Sequence, residues 1–117
     1  VSAGKAAAVF NTFRNINLGP TGQTVKTSAG EVAGWAITNN AASPRFVKFY
    51  DTASVPDQTF TPLLTLQVPA NAYNAFLGMG NALDFKNGIA VRGTTGAADN
   101  DTGAPAANDL IANIFYA

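Results

Sequence analysis

A single glutamate, Glu31, stands in a chain of 117 residues. Exposed helix faces are commonly built from Glu paired with Lys at helical spacing, so this chain lacks the means to clothe helices in that way. Residues favoured in strands dominate instead. Val, Ile, Thr, Phe, Tyr and Trp together number 37, against 19 for Leu, Lys, Arg, Gln, Met and Glu. Alanine is plentiful but follows no sustained helical stripe, which assigns it to loops and close sheet packing. The length suits one domain able to remove roughly two-thirds of its unfolded surface from water without covalent staples.

Alternation of apolar and polar residues places the strands. Val9 to Leu18 predicts a long strand whose apolar residues change face partway, the mark of a bend or bulge. Gly19-Pro20-Thr21-Gly22 turns the chain into Gln23 to Ser28, thin in apolar residues and suited to an edge. Val32 to Asn39 reads as a central strand, with Trp35 and Ile37 on one face with Ala33, and Val32 on the other with Gly34 and Ala36. Arg45 to Asp51 puts Val47 and Phe49 on one face, and Phe46, Lys48 and Tyr50 on the other. Prolines bracket Pro62 to Pro69, where Leu64, Leu66 and Val68 point one way. Periodicity leaves Ala70 to Leu77 open between a helical turn and a short strand, and Gly78 to Asn81 reads as a loop. Asn87-Gly88 between Leu83-Asp84-Phe85 and Gly88 to Arg92 predicts a type I′ hairpin. Thr94 to Ala107 is a Gly-rich surface loop by composition, and Asn108 to Tyr116 closes the chain as a strand. About eight such strands predict an all-β, antiparallel two-sheet sandwich, jelly-roll-like or Ig-like. Its expected core comprises Trp35, Ile37, Val47, Phe49, Leu64, Leu66, Ile89, Val91, Leu110 and Ile114.

Chemistry is narrowly bounded by the absence of both cysteine and histidine. Thiol catalysis, thiolate metal sites, disulfides and the usual general base near neutral pH all go with them, so neither catalysis, a transition metal nor a cofactor is expected. Asp99-Asn100-Asp101-Thr102-Gly103 has the opening of a calcium loop, but a Gly stands at the third ligand position and no Glu closes it, which favours an Asx-rich turn. The acidic residues Glu31, Asp51, Asp57, Asp84, Asp99, Asp101 and Asp109 fall mostly at strand ends and turns, not as a pair flanking a cleft. Seven basic residues balance seven acidic ones and are scattered, so no nucleic-acid groove is expected. No apolar run reaches the length of a membrane helix, and no basic segment followed by an apolar stretch marks a signal peptide at Val1. Low charge with zero net charge suits a subunit of an assembly. Trp35, Tyr50, Tyr73 and Tyr116 could instead form a sugar-stacking platform, although a single Trp on a central strand is more often core.

Four segments resemble small structural proteins of tailed bacteriophage virions: Lys48-Phe49-Tyr50-Asp51, the run from Thr61 to Ala70, Asn87-Gly88-Ile89-Ala90-Val91, and the run from Ala106 to Tyr116. The likeness spans roughly Gly34 to Tyr116. Some such proteins are capsid decoration or cement proteins, β-sandwiches that bind as dimers or trimers over joints between major capsid subunits. The resemblance therefore implies a non-enzymatic protein of the outer capsid surface with major capsid protein as its partner. A homo-oligomer is expected, a trimer in preference to a dimer, with no nucleic-acid or membrane partner. A tail or fibre component, a carbohydrate-binding sandwich and a pilus-like subunit completed by strand addition are the alternatives. In this reading residues 1–8 form an N-terminal arm, of small residues with one charge at Lys5, that orders only along a partner, and residues 9–117 form the sandwich. Lys5, Phe10, Phe13 and Arg14 are the candidate partner contacts, with both Phe side chains equally suited to the core.

Overall fold

A computed structural model describes residues 9–117, so the arm expected over 1–8, Lys5 included, lies outside the described residues. The described chain forms nine strands: β1 (Asn11–Asn15), β2 (Gln23–Lys26), β3 (Gly30–Asn39), β4 (Arg45–Tyr50), β5 (Leu64–Val68), β6 (Ala72–Leu77), β7 (Leu83–Phe85), β8 (Ile89–Thr94) and β9 (Leu110–Tyr116). All pairings are antiparallel. The first sheet has the order β1-β9-β3-β6, with β7 also on β3, and the second has the order β2-β8-β4-β5. The fold is thus an all-β sandwich of two antiparallel sheets.

Between the sheets lie Trp35 and Ile37 from β3, Val47 and Phe49 from β4, Ile89 and Val91 from β8, and Leu110 and Ile114 from β9, all expected and all buried. Leu64 and Leu66 pack against this cluster but stay half-buried, because β5 is an edge strand. Leu18, Val32, Val68, Phe85 and Ala112 complete the core. Alternation puts Val32 on the face opposite Trp35, and the structure corrects this. β3 carries a bulge, since Val32 faces Tyr116 while Gly34 faces Phe115, so two residues of β3 advance for one of β9. The extra residue reverses the alternation and returns Val32 to the core side. Gly34 is required there because a Cβ would run into the carbonyl oxygen of Phe76 on the neighbouring strand.

Other boundaries also shift. The strand expected over Val9 to Leu18 ends at Asn15, and the bend after it carries Leu18 into the core, which accounts for the change of face. Ala72–Leu77 resolves as a strand through its ladder with Gly34 to Asn39. Asn39 pins the corner where the chain changes sheets between β5 and β6. Its buried Nδ2 donates to the carbonyls of Ser43, Val68 and Pro69, and its Oδ1 accepts from Ala41 N–H.

The Asn87-Gly88 hairpin is the clearest correction. β7 does not pair with β8; it joins Gly30 to Val32 of β3 in the other sheet, so the connection crosses between sheets. The Asp51 carboxylate wins the competition for this loop, accepting N–H bonds from Lys86 (3.1 Å), Asn87 (2.8 Å) and Gly88 (3.4 Å). Positive φ at two successive central residues, the requirement of a type I′ turn, occurs instead at Met79 (51°) and Gly80 (96°). There Asn81 N–H closes the turn on Gly78 O at 2.9 Å.

The bonds to Asp51, that from Asn87 foremost, hold its carboxyl below the ordinary value of 3.8. Its contribution to stability is therefore present above the ordinary carboxylate range and is lost as pH falls through the lowered folded-state value. Asp51→Asn is expected to be less stable than the natural chain at pH 7, with the difference shrinking on acidification. Denaturant titrations across the acid range check this, and a difference that widens on acidification contradicts it.

Candidate functional site

The two outer faces of the sandwich are built differently. On the second sheet the outward residues of β4 and β8 are Phe46, Lys48, Tyr50, Ala90, Arg92 and Thr94, yet all but the half-buried Phe46 are buried. Loop segments cover them. Lys48 Nζ donates to Thr94 Oγ1 at 3.0 Å, to Gly96 O at 3.4 Å and to Ala98 O. Arg92 donates through Nε to Pro20 O (2.7 Å), through Nη1 to Tyr50 Oη (3.1 Å) and through Nη2 to Asp101 O (2.9 Å). Asp101 Oδ1 in turn accepts from the N–H groups of Gly96 and Gly103 at 3.3 and 2.8 Å. The stretch weighed as a calcium loop is thus an Asx-type turn, and the expected surface loop is tied down on buried cations. Phe60 closes the far side, its ring edge-on to Tyr50 at 6.4 Å. Burial pushes the Lys48 ammonium below its ordinary pKa and neighbouring Arg92 adds to this, while Asp101 and Asp99 oppose it. No buried side-chain polar atom among the described residues lacks a partner, so the centre of this face is sealed by a satisfied network, with Thr65 and Gln67 of the edge strand β5 left exposed.

The first sheet is open on its outer side. Residues directly opposite in a ladder share a face, so one outward row reads Thr12, Phe115, Gly34, Leu77 and the next Arg14, Asn113, Ala36, Ala75. Tyr73 follows opposite Thr38. Phe10, Glu31, Ala33, Leu77, Met79 and Phe115 border an open depression of about 550 Å³. Its rim is unusually bare, with Met79 89% and Leu77 64% exposed. Contiguous apolar surface of this kind marks an interaction site more often than a solvent face.

Of the residues singled out in the sequence, Phe10 and Arg14 lie on this open face, Phe10 on the rim and Arg14 exposed beside Asn113. Phe13, opposite Ile114, turns inward against the core, the alternative the sequence left open. Leu77, Met79 and Phe115 were missed. The four aromatics of the sugar platform do not meet: Trp35 is core, Tyr50 is under the sealed face, Tyr73 is outward on the first sheet and Tyr116 packs against the core. Among the described residues no group of three or more potential metal ligands gathers. No known protein family, curated protein or solved structure matches the chain.

Proposed function

We propose that this chain is a non-enzymatic structural subunit of a tailed-phage virion, of the capsid-decoration kind, seated as a homo-oligomer on major capsid protein at the outer capsid surface. The observation that carries this reading is the inequality of the two faces. A domain that seals one sheet with a fully satisfied polar network and leaves the other apolar and open is built for burial in an assembly, not for free diffusion. The strand order supports it too. β1-β9-β3-β6 over β2-β8-β4-β5, with β7 as an addition, fits a jelly-roll winding, which serves viral capsid and lectin domains and cupins. A chain without histidine suits the first two better than the metal-binding third. The lectin use calls for a row of exposed aromatics, and the dispersal of Trp35, Tyr50, Tyr73 and Tyr116 weighs against it. The test is addition of purified protein to capsids that lack it. Saturable co-sedimentation and raised resistance of the heads to heat are expected; failure to bind heads, or recovery of the protein only with tails, overturns the reading.

A further inference from the structure

The charges on the open face are arranged to fit a second copy of that face. Along β9 the outward positions run Ile111, Asn113, Phe115 and, just past the strand, Ala117. Arg14 of β1 lies opposite Asn113. Glu31 of β3 lies opposite Ala117, joined by reciprocal backbone bonds of 2.8 and 3.0 Å. Phe115 is therefore midway between the two charges, one strand and two residues from each. Strand geometry puts Arg14 and Glu31 about 17 Å apart, too far to pair within one chain. The ion pair found among the described residues is a different one, Arg45 with Asp109.

A half-turn about an axis lying in the face, through Phe115 and perpendicular to the line joining the two charges, brings Arg14 of each copy over Glu31 of the other. Asp84 lies opposite Glu31 on β7 and adds a second carboxylate at that corner. Phe115 meets its own equivalent on the axis, and Leu77 falls over the small side chain of Ala36. From this we infer that the open face of the first sheet is an isologous interface: two copies of the chain pair face to face about a two-fold axis at Phe115, with Arg14 of each against Glu31 and Asp84 of the other. The apolar centre supplies the attraction and the charges at its edge set orientation and register. The inference deepens the structural-subunit reading and rests on it, since that reading leaves this face to be covered. A self-complementary face closes at two copies, so the unit is a dimer where the sequence expectation is a trimer.

Met79 adds an independent observation. It holds φ at 51° in a turn position that Asn or Gly adopts freely, and its side chain is 89% exposed. Backbone strain that supports a bare apolar side chain in the monomer is offset when a partner buries that side chain.

Sedimentation velocity on the full chain tests this. The natural protein is expected to sediment as a dimer. Arg14→Glu and Glu31→Arg, both at exposed positions, are each expected to weaken the dimer at least about tenfold, and the double reversal R14E/E31R to recover most of the loss. Met79→Asn is expected to raise the melting temperature of the dilute monomer while weakening the dimer. A monomer at about 200 µM, a trimer, or a dimer indifferent to both single reversals overturns the inference. A dimer that fails to bind capsids overturns the virion reading and leaves the two-fold standing, and capsid binding by a monomer does the reverse.

Discussion

Phe49→Ala is expected to destabilise the protein by about 3–5 kcal/mol, a large share of the roughly 5–15 kcal/mol that holds a domain of this kind together. Phe49 is fully buried on β4 and its ring lies 5.5 Å from Trp35 and 6.4 Å from Phe85, both contributed by the opposite sheet. Trp35 continues the contact to Phe76 on the edge strand β6 at 5.1 Å, so four aromatic rings form one chain of contacts in which Phe49 alone comes from the second sheet. Truncation removes the ring that joins the two sheets and leaves a cavity between backbones that ladders hold in place, so little collapse can offset the loss. Phe49→Leu keeps most of the volume and is expected to cost less than half as much. Chemical denaturation of the two variants side by side checks this. A cost near 1 kcal/mol for Phe49→Ala would mean that the sheets are held by other contacts.

Much of the fold was legible because alternation is a local signal. Arg45 to Tyr50 and Leu110 to Tyr116 both read as strands, and both appear, with Val47, Phe49, Leu110 and Ile114 in the core as expected. What escaped depends on events distant in sequence. Val32 could not be placed without the bulge, and the bulge becomes visible only against Tyr116 and Phe115 of β9. The Asn87-Gly88 signal was overruled by Asp51, a carboxylate thirty-six residues earlier in the chain than Asn87. The faces of β4 were read correctly, with Lys48 and Tyr50 opposite Val47, but nothing local says that loops would roof that side. On β9 the difficulty is sharper, because Ile111 and Phe115 are as apolar as Leu110 and Ile114, and hydrophobicity alone cannot say which set meets water. The open face was therefore only partly legible, through Phe10 and Arg14; its centre at Phe115 and its rim at Leu77 and Met79 follow from register.

Arg92→Ala is the second large effect expected, about 3–5 kcal/mol, from a residue that an alternation argument assigns to a solvent face. Its guanidinium donates at once to three acceptors from separate parts of the chain: Pro20 O before β2, Tyr50 Oη at the end of β4 and Asp101 O in the loop after β8. Truncation leaves Tyr50 Oη buried without this donor and the part-buried carbonyls of Pro20 and Asp101 without theirs, and a buried acceptor left unpaired costs about 1–3 kcal/mol. Arg92→Lys keeps the charge but offers a single ammonium where a planar fork reaches three ways, so it is expected to recover only a minor part of the loss. The damage should also be local. Backbone amides of Gly96, Asp101 and Gly103 are expected to exchange with solvent markedly faster in Arg92→Ala, while those of β3 and β9 speed up only as far as the reduced global stability dictates. Because the sealed and open faces belong to different sheets, the Arg14→Glu defect in pairing should be additive with the Arg92→Ala loss of stability when both changes are combined. Hydrogen exchange in which the roof over Lys48 and Arg92 opens no faster than in the natural chain would show that the network decorates this face without closing it.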